Sequence, residues 1–116
     1  MSQLESTSDG SVRTIFFAES RILDELAIRD IGQELFAILD KSEERNILLD
    51  FRAVQFMSSA VLGIFIRFFK RCKEYGAELK LCGISPQIFQ VFKITGLDKV
   101  FEIHKDQQQS LVAFEA

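Results

Sequence analysis

Between the charged stretch Lys41-Ser42-Glu43-Glu44-Arg45 and Arg52 lies Asn46-Ile47-Leu48-Leu49-Asp50-Phe51, a short and nearly continuous apolar run. A strand sends successive side chains to opposite faces, so a run of this kind is stable only where both faces are covered. It is expected at the centre of a sheet. Upstream, Ile28, Ile31, Leu35, Ile38 and Leu39 recur at three- and four-residue spacing, which puts one apolar stripe on a helix. Its opposite face carries Arg29, Asp30, Gln33, Glu34 and Asp40, and its first turn Asp24 and Glu25, where the helix dipole favours negative charge. Residues 12–18, rich in β-branched and aromatic side chains, read as a strand ahead of that helix. Strand, helix and buried strand make a crossover unit with parallel pairing. A chain of 116 residues can bury one core of this type.

The remaining elements extend the pattern. Residues 1–11, polar and without packing residues over most of their length, are expected to form a flexible N-terminal arm ahead of a domain spanning 12–116. Arg21-Ile22-Leu23 is a candidate short strand. A long helix is expected over 59–75, with Leu62, Phe65, Ile66, Phe69 and Cys72 as its core stripe. Ile64 and Phe68 fall outside the stripe, so either a neighbouring helix or a partner covers them. Glu78-Leu79-Lys80-Leu81-Cys82 alternates as a strand does. Ser85 and Pro86 are suited to the N-cap and first position of a further helix, in which Ile88, Val91, Phe92 and Thr95 face inward and which Gly96 ends. Residues 100–104 alternate again, and 106–114 predict a terminal helix docking through Leu111 and Phe114.

Several kinds of chemistry find no support. A net charge of −3 and a pI near 5.2 disfavour nucleic acid or an anionic membrane as partner. The longest apolar run, 60–66, is too short to span a bilayer, and the start has no signal-peptide pattern, so a cytoplasmic location is expected. Cys72 and Cys82 lack ligand or redox spacing and read as reduced core thiols. The glycines are scattered singly, which leaves no phosphate-cradling loop, and His104 has no second ligand near it; neither a metal nor a cofactor is expected. The basic residues Arg67, Lys70, Arg71 and Lys73 read as a solvated face that complements the helix dipole, in preference to a phosphate or nucleic-acid site.

This leaves Phe56-Met57-Ser58-Ser59-Ala60-Val61-Leu62-Gly63, where a strand hands over to the long helix and two serines become its first residues. One reading is plain capping, which satisfies an orphan N–H for about 1 kcal/mol. The other is a modification site. A phosphate at a helix start meets free N–H groups and the positive end of the dipole, and places roughly −1.5 to −2 charges on the surface.

The run 47–51, Val54, Phe56-Met57, the two serines, Leu62-Gly63, Leu79-Lys80-Leu81-Cys82-Gly83-Ile84-Ser85-Pro86 and Thr95-Gly96-Leu97-Asp98-Lys99-Val100-Phe101 together resemble the STAS domain, over about residues 13–114. Among its members the single-domain anti-sigma factor antagonists are most alike. The resemblance implies an α/β sandwich, with a mixed, mostly parallel sheet of four to five strands and about four helices mainly on one face. Such members carry Asp-Ser-Ser-Gly-Leu-Gly at the junction and are phosphorylated on the first serine. Counting from both flanks places Ser58 on the family's Asp, Ser59 on its acceptor, Ala60 on its second serine and Val61 on its glycine.

The implied function is non-catalytic. The unphosphorylated form binds an anti-sigma factor that is also a serine kinase, phosphate on Ser59 (Ser58 being the second choice) switches it off, and a serine phosphatase resets it. The implied partner surface is Ser58, Ser59, Ala60, Val61, Gly63, Ile64 and Arg67, on a monomer or weak homodimer. Two alternatives remain. One is a constitutive scaffold or oligomer-forming subunit docking through Ile64 and Phe68. The other is a small hydrolase using Ser59 with His104 and a distant Asp.

Overall fold

The computed structural model describes residues 3–115. The elements are β1 (Leu4–Asp9), β2 (Val12–Phe17), β3 (Arg21–Ile22), α1 (Glu25–Lys41), β4 (Asn46–Asp50), β5 (Phe56–Met57), α2 (Val61–Glu74), β6 (Glu78–Cys82), α3 (Pro86–Thr95), a 3-10 turn (Leu97–Lys99), β7 (Glu102–His104) and α4 (Gln107–Glu115). The main sheet has the order β1-β2-β4-β6-β7, parallel throughout except for β1, while β3 and β5 pair separately as a short parallel ribbon. β4 occupies the centre, and Ile47, Leu48 and Leu49 have no exposed surface. The expected α/β architecture, with a mostly parallel sheet and four helices, is the one observed.

The two faces of the sheet differ in depth. Ile15 and Phe17 of β2, Ile47 and Leu49 of β4, and Leu79 and Leu81 of β6 point towards the main core with α1, α2 and α3. There Phe51 packs against Phe17, Phe65 and Phe92 with ring centroids 4.8, 5.5 and 6.4 Å apart. The opposite face carries a small cluster of Val12, Leu48 and Cys82, covered by Leu111 and Phe114 of α4. Lys80 is buried there with its ammonium 2.7 Å from Glu102 and 4.7 Å from the Phe114 ring. This pairing, and then the contact with His104, lowers the Glu102 pKa. Both cysteines are buried and unpaired, and burial pushes each thiol up to about 12.

The N-terminal arm expectation is corrected over residues 4–9. Leu4–Asp9 form an edge strand antiparallel to β2, with Leu4 buried. Tertiary contacts hold it. The Glu34 carboxylate of α1 accepts from the Gln3 and Leu4 N–H groups at 2.8–3.1 Å, and Glu44 accepts from the Ser8 hydroxyl at 2.5 Å. Met1 and Ser2, also placed in that arm, lie outside the described residues.

α2 is apolar round most of its circumference because it touches both the sheet and α1. Ile64 lies on Gly32, where a Cβ would come 3.4 Å from its Cδ1, and Phe68 meets Phe36 edge to face at 6.1 Å. Ile64 and Phe68 are therefore interior side chains, covered by the neighbouring helix and not by a partner. Thr95, expected to face inward, is exposed and returns its hydroxyl to the Val91 carbonyl.

Candidate functional site

The junction before α2 is fixed from behind. Phe51 N–H donates to the Cys82 carbonyl at 2.9 Å, and Val54 N–H to the Phe51 carbonyl at 2.9 Å. Gln55 and Phe56 N–H groups both reach the Ser20 carbonyl, at 2.8 and 3.1 Å, and Ser58 N–H donates to the Ile22 carbonyl at 2.8 Å. Beside it, Gly83 (φ +71°) sits where a Cβ would lie 3.0 Å from both the Asp50 carboxylate and the Arg52 nitrogen, so no side chain fits this strand end.

Ser58 and Ser59 are not the first residues of the helix. They belong to a turn ahead of it, in which Val61 N–H donates to the Ser58 carbonyl at 3.2 Å and Leu62 N–H to the Ser59 carbonyl at 3.1 Å. The turn forms because Val61 and Leu62 drop into the core, which draws the chain down behind the serines. Ser58 is half-buried, and its hydroxyl accepts from Ala60 N–H at 3.2 Å. Ser59 is exposed, and its hydroxyl has no partner among the described residues. Ala60, the N-cap, has helical backbone angles (φ −61°, ψ −28°) and no side-chain cap bond, and no acidic residue stands in the first turn of α2. The positive end of a 14-residue helix is thus left without a charged side chain, next to a free hydroxyl.

Of the seven residues expected to form the partner surface, Ser59, Ala60, Gly63 and Arg67 are exposed and Ser58 is half-buried. Val61 (0% exposed) and Ile64 (6% exposed) are corrected to interior residues, since the packing that shapes the turn consumes both. Sequence reasoning missed three exposed apolar side chains: Leu23 next to the ribbon residue that holds Ser58, Phe56 just ahead of the turn, and Leu26 in the first turn of α1. Phe56 lies under the Arg21 guanidinium at 4.9 Å. Leu26 carried a readable signal, because it stands off the core stripe of its helix.

His104 holds Glu102 at 2.6 Å and is not paired with Ser59, so no nucleophile–base pair stands ready at the turn. Among the described residues no cluster of His, Cys, Asp or Glu is arranged for a metal ion, and no helix is long and apolar enough to cross a membrane.

Comparison with known proteins places this geometry. The model for the STAS domain matches residues 6–110. A protein of Bordetella bronchiseptica, provisionally named anti-sigma factor antagonist BtrV, is 32% identical over 81 residues, 70% of this chain and 69% of its own length. The anti-sigma-B factor antagonist of Listeria monocytogenes is 34% identical over 71 residues, so the match spans 61% of this chain and less than two thirds, 62%, of the Listeria protein. An anti-sigma-factor antagonist (STAS) domain protein from Planctomyces limnophilus superposes with a TM-score of 0.85 at 28% identity, over 97% of this chain and 98% of the other.

Proposed function

The chain belongs to the STAS domain family, and from that membership we propose that it is a non-catalytic regulator whose partner surface is switched by phosphate on Ser59. Relatives named as anti-sigma factor antagonists support the regulatory role. The observation that carries the choice of residue is the division of labour between the two serines. The Ser58 hydroxyl is already engaged with the backbone, whereas that of Ser59 is exposed and unpartnered.

In this reading the unmodified protein binds an anti-sigma factor with serine-kinase activity through Ser58, Ser59, Ala60, Gly63 and Arg67, and Leu23, Leu26 and Phe56 extend that surface with apolar area. Binding releases the sigma factor. Phosphate on Ser59 leaves the fold unchanged, because the start of α2 accommodates an anion. It blocks docking, because a charge of roughly −1.5 to −2 must be desolvated before apolar groups can close over it. A serine phosphatase restores the binding form.

Intact-protein and peptide mass spectrometry of the chain recovered from its native cells, with Ser59→Ala alongside, tests the switch. Phosphate confined to Ser59 and absent from the variant is the expected result. Protein free of phosphate at both serines under every growth condition tried would sink the switch.

A further inference from the structure

Four cations stand on α2, and they divide into two pairs. Arg71 is 3.3 Å from Glu74 and lies over the Phe36 ring at 5.0 Å, and Lys73 lies over the Phe69 ring at 4.7 Å. Both sit in the last turn, where the dipole favours positive charge. Arg67 and Lys70 are exposed, stand ahead of that turn, and make no ion pair, hydrogen bond or ring contact among the described residues. Neither the dipole nor an internal partner accounts for them.

With exposed Gly63 they fall at positions i, i+4 and i+7, one stripe along the helix. The stripe starts at the serine turn. The Arg67 side chain runs back towards it, with Nη1 3.9 Å from the place a Gly63 Cβ would occupy. Gly63 is bare, so a partner's backbone has close access at that point.

We infer that Gly63, Arg67 and Lys70 form a docking track for an acidic segment of a protein partner, with carboxylates spaced about one helical turn apart. Charge complementarity selects this occupant. The stripe is a local positive feature on a chain of net charge −3. Two unpaired cations match a short segment carrying two or three carboxylates, whereas the net negative charge of the whole chain disfavours an extended polyanion such as nucleic acid or an anionic bilayer. The inference rests on the reading of the Ser59 surface as a partner site and deepens it. Ser59 lies four residues before Gly63, in the turn that leads into the helix. A phosphate there competes with the partner's carboxylates for Arg67.

The test is a titration of the isotope-labelled full chain, followed by amide NMR, with an alanine-based helical peptide bearing glutamates at i, i+4 and i+7. Shifts centred on Gly63, Arg67 and Lys70 are expected, and they should fade as NaCl rises from about 20 to about 300 mM, over which screening shortens to a few Å. R67E/K70E, which changes two exposed residues and should melt as the parent does, is expected to bind at least tenfold more weakly. K93E/K99E, with the same charge change on exposed residues elsewhere, should bind as the parent does. Scattered or absent shifts, equal weakening in both variants, or tighter binding at the same residues by oligo-dT or phosphatidylglycerol vesicles would each overturn the inference. The peptide titration uses the unphosphorylated chain and does not require Ser59 to be modified. Failure of the phosphate switch in cells and failure of the track are therefore separate results.

Discussion

Ser85 and Ser59 both stand between a strand and the helix that follows it, and the two helix starts treat them in opposite ways. Ser85 has extended backbone angles, accepts from Ile88 N–H at 3.2 Å, and hands the chain directly to Pro86. At α2 the chain makes a further turn first. Ser58 takes the local hydrogen bond from the Ala60 N–H, and Ser59 is exposed with its hydroxyl unused. A capping hydroxyl stabilises its helix by being occupied, whereas one available to an enzyme must be unoccupied. The start of α3 is thus held by its serine. The start of α2 is held by Val61 and Leu62 beneath the turn, which leaves Ser59 free of structural duty.

That contrast ranks the consequences of substitution. Val61→Ala removes fully buried methyl groups and should cost about 2 kcal/mol, more than the loss of either serine hydroxyl, measured by urea unfolding. A loss no greater than that of a cap would mean that something other than burial holds the turn.

Next comes a pair of serines whose hydroxyls a carboxylate occupies. Glu44 accepts from Ser8, from Ser42 and from Arg13, and these bonds lower its pKa from 4.5 to about 2. A depressed carboxylate pKa contributes stability that is fully present above the unfolded value and is lost as pH falls through the folded one. Glu44→Gln should therefore cost about 1–2 kcal/mol near neutral pH. The difference from the parent should close between pH 4.5 and about 2. A gap that persists at pH 2 would show that the charge is not what holds β1.

Smallest are the serines themselves. Ser85→Ala should cost about 1 kcal/mol, and Ser59→Ala less than about 0.5 kcal/mol. Equal losses would erase the distinction between the two hydroxyls.

The same residues show what could be read in advance. β4 was legible because burial on both faces leaves a continuous apolar run, and the α3 cap because its chemistry is local to Ser85 and Pro86. β1 was not. An edge strand with a solvated face can be as polar as Leu-Glu-Ser-Thr-Ser-Asp, and what holds it, Glu34 and Glu44, lies more than 30 residues away in sequence. The apolar character of Val61, Ile64 and Phe68 told how much of α2 is buried but not against what, because the covering surface, Gly32 and Phe36, belongs to another helix. At the serines, residue types marked the junction ahead of α2 but not its geometry. Which hydroxyl is free depends on a turn that the core residues behind it impose.

The ribbon that pins Ser58 to Ile22 has a consequence for enzymology. In the proposed switch the acceptor, Ser59, is presented by a turn with this backbone anchoring and not as an extended strand lying in a kinase cleft. An enzyme that modifies Ser59 must grip the folded domain and read its shape, so a short peptide copied from residues 54–64 should be a poor substrate however faithfully it repeats the sequence.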